Sequence, residues 1–406
     1  MRVLISSIGS RGDVQPILAL ALELRTLGHE PRLCVAPNFE EWVESFGVAC
    51  VPIGPDLKKL TTGSKPFKVS PEQRRQFAAY AVHSQFPVLT EAARGCDLLV
   101  AGGALQFATR SIAESLHIPY VFAAYCPVSL PSPHHPPPRM DKHYSQRLPA
   151  LFNRVLWRRD ERSWNQLFGA ALNEERTKVG LASVESVRHH IFTDRPWLAA
   201  DSALAPSPST PGLQVVQTGA WFLPDNTALP HELQNFLANG DAPIYFGFGS
   251  MRAEEQTSRV LIDAARALKR RAIISQGWGN LALIDEAADC ISVGDVNHEK
   301  LFTRVAAVVH HGGAGTTTTA ARAGSPQVIV PHVYDQFYWA HRVHKLGIGA
   351  AGPARGRMSV TPLVSALQES LRPEVTERAQ ALARRMERNG ARIAAQRLVS
   401  EFGTGH

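Results

Sequence analysis

Twice in this chain an uninterrupted apolar run ends in a Gly-Ser pair, RVLISSIGS at 2–10 and PIYFGFGS at 243–250. Such a run predicts a strand buried on both faces, and strands of that kind form parallel sheets whose neighbours are joined by crossover helices. After the first run, Ile17, Leu20, Ala21, Leu24 and Leu27 recur at helical spacing until Gly28, and RLCVAP resumes as a strand. The alternation continues through VACVPI, DLLVAGG and PYVFAAY, with helical stretches at 71–94 and 106–116. Beyond PIYFGFGS it restarts with a helix near 254–268, then AIISQGW, CISVGDV, AAVVHH and QVIVP. The pattern predicts an α/β protein of two similar doubly wound domains facing across a cleft. In such sheets ligands bind beyond the carboxyl ends of the strands.

A chain of 406 residues accommodates two such domains without disulfides or a structural metal. CPVSLPSPHHPPPR at 126–139 carries six prolines, which exclude helix and central strand, so an extended surface loop is expected there. A long helix is expected over 145–179, and PSPSTPG at 206–212 reads as an interdomain linker. The expected division is an N-terminal domain at 1–205, a linker at 206–214 and a C-terminal domain at 215–387.

Lys and Arg number 43 against 36 Asp and Glu, a formal charge of +7, yet no basic run with interleaved aromatics appears. That argues against a nucleic-acid partner and for a phosphorylated small molecule. No apolar run reaches the roughly 18–20 residues of a membrane span, so a cytoplasmic protein with no membrane span is expected. The five cysteines are scattered without a C-x-x-C pair and read as reduced core residues.

Three segments carry chemistry. In VVHHGGAGTTTTAARAG, at 308–324, a buried strand ends in two histidines. Gly312, Gly313 and Gly315 then loosen the backbone, and Thr316–Ala323 reads as a helix stopped by Gly324. Free N–H groups and a helix dipole converge there, which suits a phosphate, with His311 adding a hydrogen bond or charge; a plain tight turn with core histidines has the same appearance. In QVIVPHVYDQFYWAHRV, Asp335 and Gln336 end a strand, where they can hold vicinal hydroxyls, although by residue type alone Asp335 reads first as a helix N-cap. In IGSRGDVQP, Asp13 is either a cap or a general base at the cleft mouth, with Ser10 and Arg11 able to face a diphosphate. Trp278, just past a strand end, can stack on a nucleobase or simply pack.

Together these segments resemble the vancomycin-type glycosyltransferases, inverting enzymes of the GT-B fold. YCPVSLPSPHHPPP, DRPWLAAD, QTGAWFLPD, SQGW, GDVNHEKLF and DQFYWAHRVHKLGIG carry the resemblance further along the chain. The resemblance implies that the C-terminal domain holds a UDP or dTDP sugar and the N-terminal domain a hydrophobic or glycopeptide-type aglycone. Trp278 and the Val296–His298 loop would border nucleobase and ribose. Ser250, His311, Gly312, Gly313, Ala314, Gly315 and Thr316 would bind the diphosphate, with Ser10 and Arg11 beside the reacting phosphate. Asp335 and Gln336 would contact the sugar, and Asp13 matches the proposed general base. Thr318 stands where close relatives usually carry histidine. The family's last helix, about 388–402 here, is expected back on the N-terminal domain.

The expected reaction moves a sugar onto an aglycone hydroxyl with no cofactor beyond the sugar nucleotide and no metal. A sugar-nucleotide epimerase of the same architecture and a silent donor-binding protein are the alternatives. His83 and His134 are the next candidates for the base.

Overall fold

The computed structural model describes residues 1–56, 70–103, 105–140, 145–249, 256–277, 281–353 and 355–403. The N-terminal sheet contains β1 (Arg2–Ser7), β2 (Glu30–Val35), β3 (Ala49–Pro52), β4 (Leu98–Gly102), β5 (Tyr120–Ala124), β6 (Trp197–Leu198) and β7 (Val216–Gln217), in the order β3-β2-β1-β4-β5-β6-β7. The second sheet contains β8 (Ile244–Gly247), β9 (Ala272–Ser275), β10 (Cys290–Val293), β11 (Ala307–His310), β12 (Gln327–Ile329) and β13 (Gly349–Ala351), in the order β10-β9-β8-β11-β12-β13. Every pairing is parallel. In both sheets the winding reverses beside the first strand, between β1 and β4 and between β8 and β11. Those gaps are the switch points where a doubly wound sheet opens a crevice.

The Arg11–Thr26 helix buries Ile17, Leu18, Leu20 and Leu24 completely against β1, each worth about 1.5–3 kcal/mol, while Leu27 lies past its end, 36% exposed. The expected helix over 71–94 is two, Pro71–His83 and Gln85–Ala92. Pro87 explains the break, because its ring fits only the first turn of a helix. The long helix begins after Pro149, at Ala150, and runs to Lys178.

The proline-rich stretch 206–214 joins β6 to β7, which are neighbours in the N-terminal sheet. The chain therefore crosses between domains beyond β7, at 218–230, and not at the stretch expected to carry the crossing. Proline composition marks a loop whichever sheet its flanks belong to. The chain returns near 387–390, alongside the outward crossing. There the Glu387 N–H donates to Asp201 Oδ2 at 2.7 Å, and a Cβ on Gly390 would lie 2.4 Å from the Ala220 carbonyl oxygen. The last helix, Gly390–Phe402, then packs Ala391, Ala394, Ala395 and Leu398 into the core that holds Val3, Ile5 and Leu20.

All five cysteines are free thiols. Among the described residues no helix is long and apolar enough to cross a membrane.

Candidate active site

At the N-terminal switch point β1 ends at Ser7 and a helix starts at Arg11, which puts Asp13 inside its first turn. Asp13 is therefore not the N-cap; Ser10 is. The Asp13 carboxylate folds back, and Oδ2 accepts the Ser10 N–H at 2.7 Å and the Ser10 hydroxyl at 3.1 Å. Two glycines make room for it. A Cβ on Gly9 would lie 2.2 Å from Oδ2, and Gly103, with φ of 80°, approaches Oδ1 at the end of β4. The Asp13 main chain is held as well, since the Ser7 and Tyr125 hydroxyls each lie 3.1 Å from its carbonyl oxygen. Oδ1 accepts no hydrogen bond among the described residues. Burial raises the Asp13 pKa, against the lowering effect of the Ser10 hydrogen bonds. A carboxylate with one anchored oxygen, one unbonded oxygen and a raised pKa is equipped to take a proton.

Ser10 and Arg11 are placed differently from the expectation that both face a diphosphate. The Ser10 hydroxyl is committed to Asp13. The Arg11 guanidinium lies over the Trp42 ring, 5.0 Å from its centroid, and reaches across the cleft to an ion pair with Asp295.

At the second switch point the two histidines separate, because successive side chains of a strand face opposite sides. His310 turns into the core. Its Nε2 is 2.9 Å from Gln327 Oε1 and its Nδ1 accepts the Gly312 N–H at 3.1 Å, so it braces the turn. His311 faces the end of β8, with Gly249 and Gly313 packed against its ring. Burial pushes its pKa down to about 3, helped by His310 and His332, and its buried Nδ1 has no hydrogen-bond partner among the described residues. His311 is thus neutral, able to offer a hydrogen bond and not the charge considered from sequence.

Gly312, at φ of 91°, is obligatory: a Cβ there would lie 2.6 Å from Ile329. The helix spans Ala314–Ala323 and ends at Gly324 in the left-handed region. Gly313 is its N-cap residue, so the first-turn N–H groups of Ala314, Gly315 and Thr316 have no intrahelical acceptor. They surround the mouth where the His311 ring lies, an anion-binding arrangement. Buried Thr318 donates its hydroxyl to the Ala314 carbonyl at 2.7 Å, so this side chain is spent on a bond within its own helix. Ser250 and Trp278 lie outside the described residues.

Val296 precedes, and His298 opens, the short helix His298–Phe302, which Asn297 caps by accepting the Lys300 N–H at 2.9 Å. The His298 ring points inward, stacks on Phe302 at 4.9 Å and is hydrogen-bonded to the Tyr245 hydroxyl at 3.0 Å. Val296 packs partly into the same core. Both side chains are therefore structural supports in this fold.

Asp335 precedes the Gln336–Leu346 helix but makes no cap hydrogen bond, which sets aside the capping expectation. Its Oδ2 instead accepts the Trp339 Nε1–H at 3.0 Å, one helical turn on. Burial pushes its pKa up to about 7, and the charge of Asp13 adds to the rise. Gln336 Oε1 accepts the N–H groups of His332 and Val333, at 2.7 and 3.0 Å, which fixes the loop before it. Asp13, Asp335 and the His311 turn thus converge from the facing ends of two sheets. His83 and His134 do not join them: His83 is bonded to Glu175 at 2.7 Å, and His134 Nε2 lies 3.1 Å from the Ser209 carbonyl.

Gly9, Gly103, Tyr125 and Trp339 went unnoticed in the sequence. Trp339 alone left a local signal, its i,i+4 spacing from Asp335.

Two family models match the chain, the glycosyltransferase family 28 N-terminal domain over residues 3–131 and the erythromycin biosynthesis protein CIII-like C-terminal domain over 259–397. The vancomycin aglycone glucosyltransferase of Amycolatopsis orientalis is 45% identical, over 98% of this chain and 97% of that protein. The dTDP-epi-vancosaminyltransferase of the same organism is 40% identical, over 93% and 92%. Among solved structures, the glycosyltransferase of kitacinnamycin superposes with a TM-score of 0.73 at 18% identity, covering 99% of both chains. Glycosyltransferase VinC in complex with dTDP superposes at 0.71 and 19%, covering 100% of both.

Proposed function

Because the chain belongs to the vancomycin-type glycosyltransferases of the GT-B fold, we propose that it moves a sugar from UDP or dTDP to a hydroxyl of a glycopeptide-type aglycone, with Asp13 as general base. The observation that carries this reading is the convergence of three groups on one cleft: a carboxylate with a raised pKa, a helix N-terminus beside an imidazole whose Nδ1 has no partner among the described residues, and a second carboxylate near enough to feel the charge of the first.

In the proposed step the acceptor hydroxyl is hydrogen-bonded to the free Oδ1 of Asp13. Its oxygen attacks the anomeric carbon as its proton passes to Asp13. The bond from that carbon to the diphosphate oxygen breaks on the opposite side, the nucleotide diphosphate leaves with the bonding pair, and the configuration inverts. The N–H groups of Ala314, Gly315 and Thr316 and the His311 hydrogen bond receive the charge that develops on the leaving oxygen. Asp335 and Gln336 hold the sugar hydroxyls. Charge stabilisation by these groups supports transfer without a divalent metal. With Ser10 and Arg11 engaged elsewhere, the diphosphate contacts come from the C-terminal domain.

The test is turnover of UDP-glucose and dTDP-glucose with the vancomycin aglycone, read by mass spectrometry. A glycoside, with nucleotide diphosphate released only when acceptor is present, supports the reading. An epimerised sugar nucleotide without acceptor would contradict it.

A further inference from the structure

The segment that carries Asp335 plugs into the N-terminal domain. Tyr334, directly before it, has φ of 56°, a region that sterics disfavour for a bulky side chain and that persists only when neighbours impose it. The neighbours that impose it belong to the opposite domain. The Tyr334 N–H donates to the Arg139 carbonyl at 3.2 Å. Its buried hydroxyl lies within electrostatic reach of Ser129, Arg188 and Cys126, all of the N-terminal domain. Arg188 is itself immobilised by a buried ion pair with Asp160 and by the Trp157 and Trp164 rings, 4.9 and 5.1 Å away. One turn further along, Tyr338 meets the His135 ring edge-on at 6.4 Å. Segment 126–139, the proline-rich loop, is thereby held at its start, middle and end by the strand-to-helix turn that presents Asp335.

We propose that Tyr334 is a positioning residue that locks the 126–139 loop to the sugar-binding carboxylate, so that an acceptor seated on the loop meets the anomeric carbon at a fixed distance. This rests on the transferase reading above. The left-handed backbone is what sends the Tyr334 ring into the N-terminal domain while the next side chain faces the donor cleft. Release of the tyrosine leaves the diphosphate turn untouched but lets acceptor and donor sugar drift relative to each other, and a misplacement of about 1 Å costs up to about a hundredfold in rate. Water needs no such positioning, so hydrolysis of the donor is spared.

Two variants test this. Tyr334→Gly removes the ring and relieves the backbone, and Tyr334→Phe removes only the hydroxyl. Amide hydrogen exchange over 126–139 is expected to accelerate at least about tenfold in Tyr334→Gly, with protection in β1, β4, β8 and β11 unchanged. With UDP-glucose and the vancomycin aglycone, glycoside formation is expected to fall about 10–100-fold while release of free glucose and UDP affinity hold, and Tyr334→Phe should fall between. Wild-type exchange over the loop, or a wild-type ratio of glycoside to free glucose, would overturn the proposal. If Tyr334→Gly loses protection in the sheets as well, the same two readings on Tyr334→Phe decide. Wild-type protein that makes no glycoside would count against the transferase reading, while the exchange measurement still decides the loop contact.

Discussion

Asp13 and Asp335 rise from different sheets to opposite sides of one cleft, and the charge on Asp13 helps to lift the Asp335 pKa to about 7. The main cause is burial, and among the described residues Trp339 is the only side-chain donor that opposes it.

This has a stability consequence with a definite sign. Between about pH 4 and pH 7 the unfolded chain has released the Asp335 proton and the folded protein retains it, so this residue's contribution to stability falls as pH rises across that window and is flat above it. Asp335→Asn should remove that slope, so the change in stability it causes should be more favourable at pH 8 than at pH 4 by up to about 4 kcal/mol. Donor use should fall in the same variant. Urea unfolding of wild type and variant at both pH values checks the first claim, and equal differences at the two pH values would refute it.

The adjacent histidines should separate by phenotype. His311→Ala removes a hydrogen bond to an anionic ligand, worth about 1.5–3 kcal/mol, so donor kcat/KM should fall about 10–150-fold with little change in Tm. His310→Ala strands Gln327 and the Gly312 N–H in the core and should lose about 1–3 kcal/mol of stability. Kinetics and thermal melts on both variants decide, and a shared phenotype would mean that the two imidazoles do not divide the work in this way.

Turnover should be undiminished in EDTA, because backbone N–H groups and His311 receive the leaving charge. Loss of turnover in chelator with rescue by Mg²⁺ or Mn²⁺ would show that a cation carries that task.

Strands β1, β4, β8 and β11 were legible because a strand buried on both faces is written as a continuous apolar run. The two-residue strands β6 and β7 have no period to detect, whereas the prolines before β7 stand out and mark a loop without saying which sheet follows it. Asp13, His311 and Asp335 could be picked out by residue type and by their places after strands. Their local roles could not. Whether Asp13 is the cap or the residue capped depends on where the helix starts, and the fate of Arg11 was set by Trp42 and Asp295, which only the folded chain brings near it. His298 read as a site residue from its loop, but Tyr245 and Phe302, on separate elements, turn it inward.

If Asp13 takes the acceptor proton, Asp13→Asn must lose transfer while keeping the fold. The amide oxygen can still accept the Ser10 N–H, so the helix start is preserved, and the amide cannot take up the proton. At saturating donor and aglycone, with donor affinity and Tm near wild type, turnover is expected to fall about 10²–10⁴-fold. Wild-type turnover in Asp13→Asn would contradict the assignment and leave Asp13 as a residue that only secures the first turn of its helix.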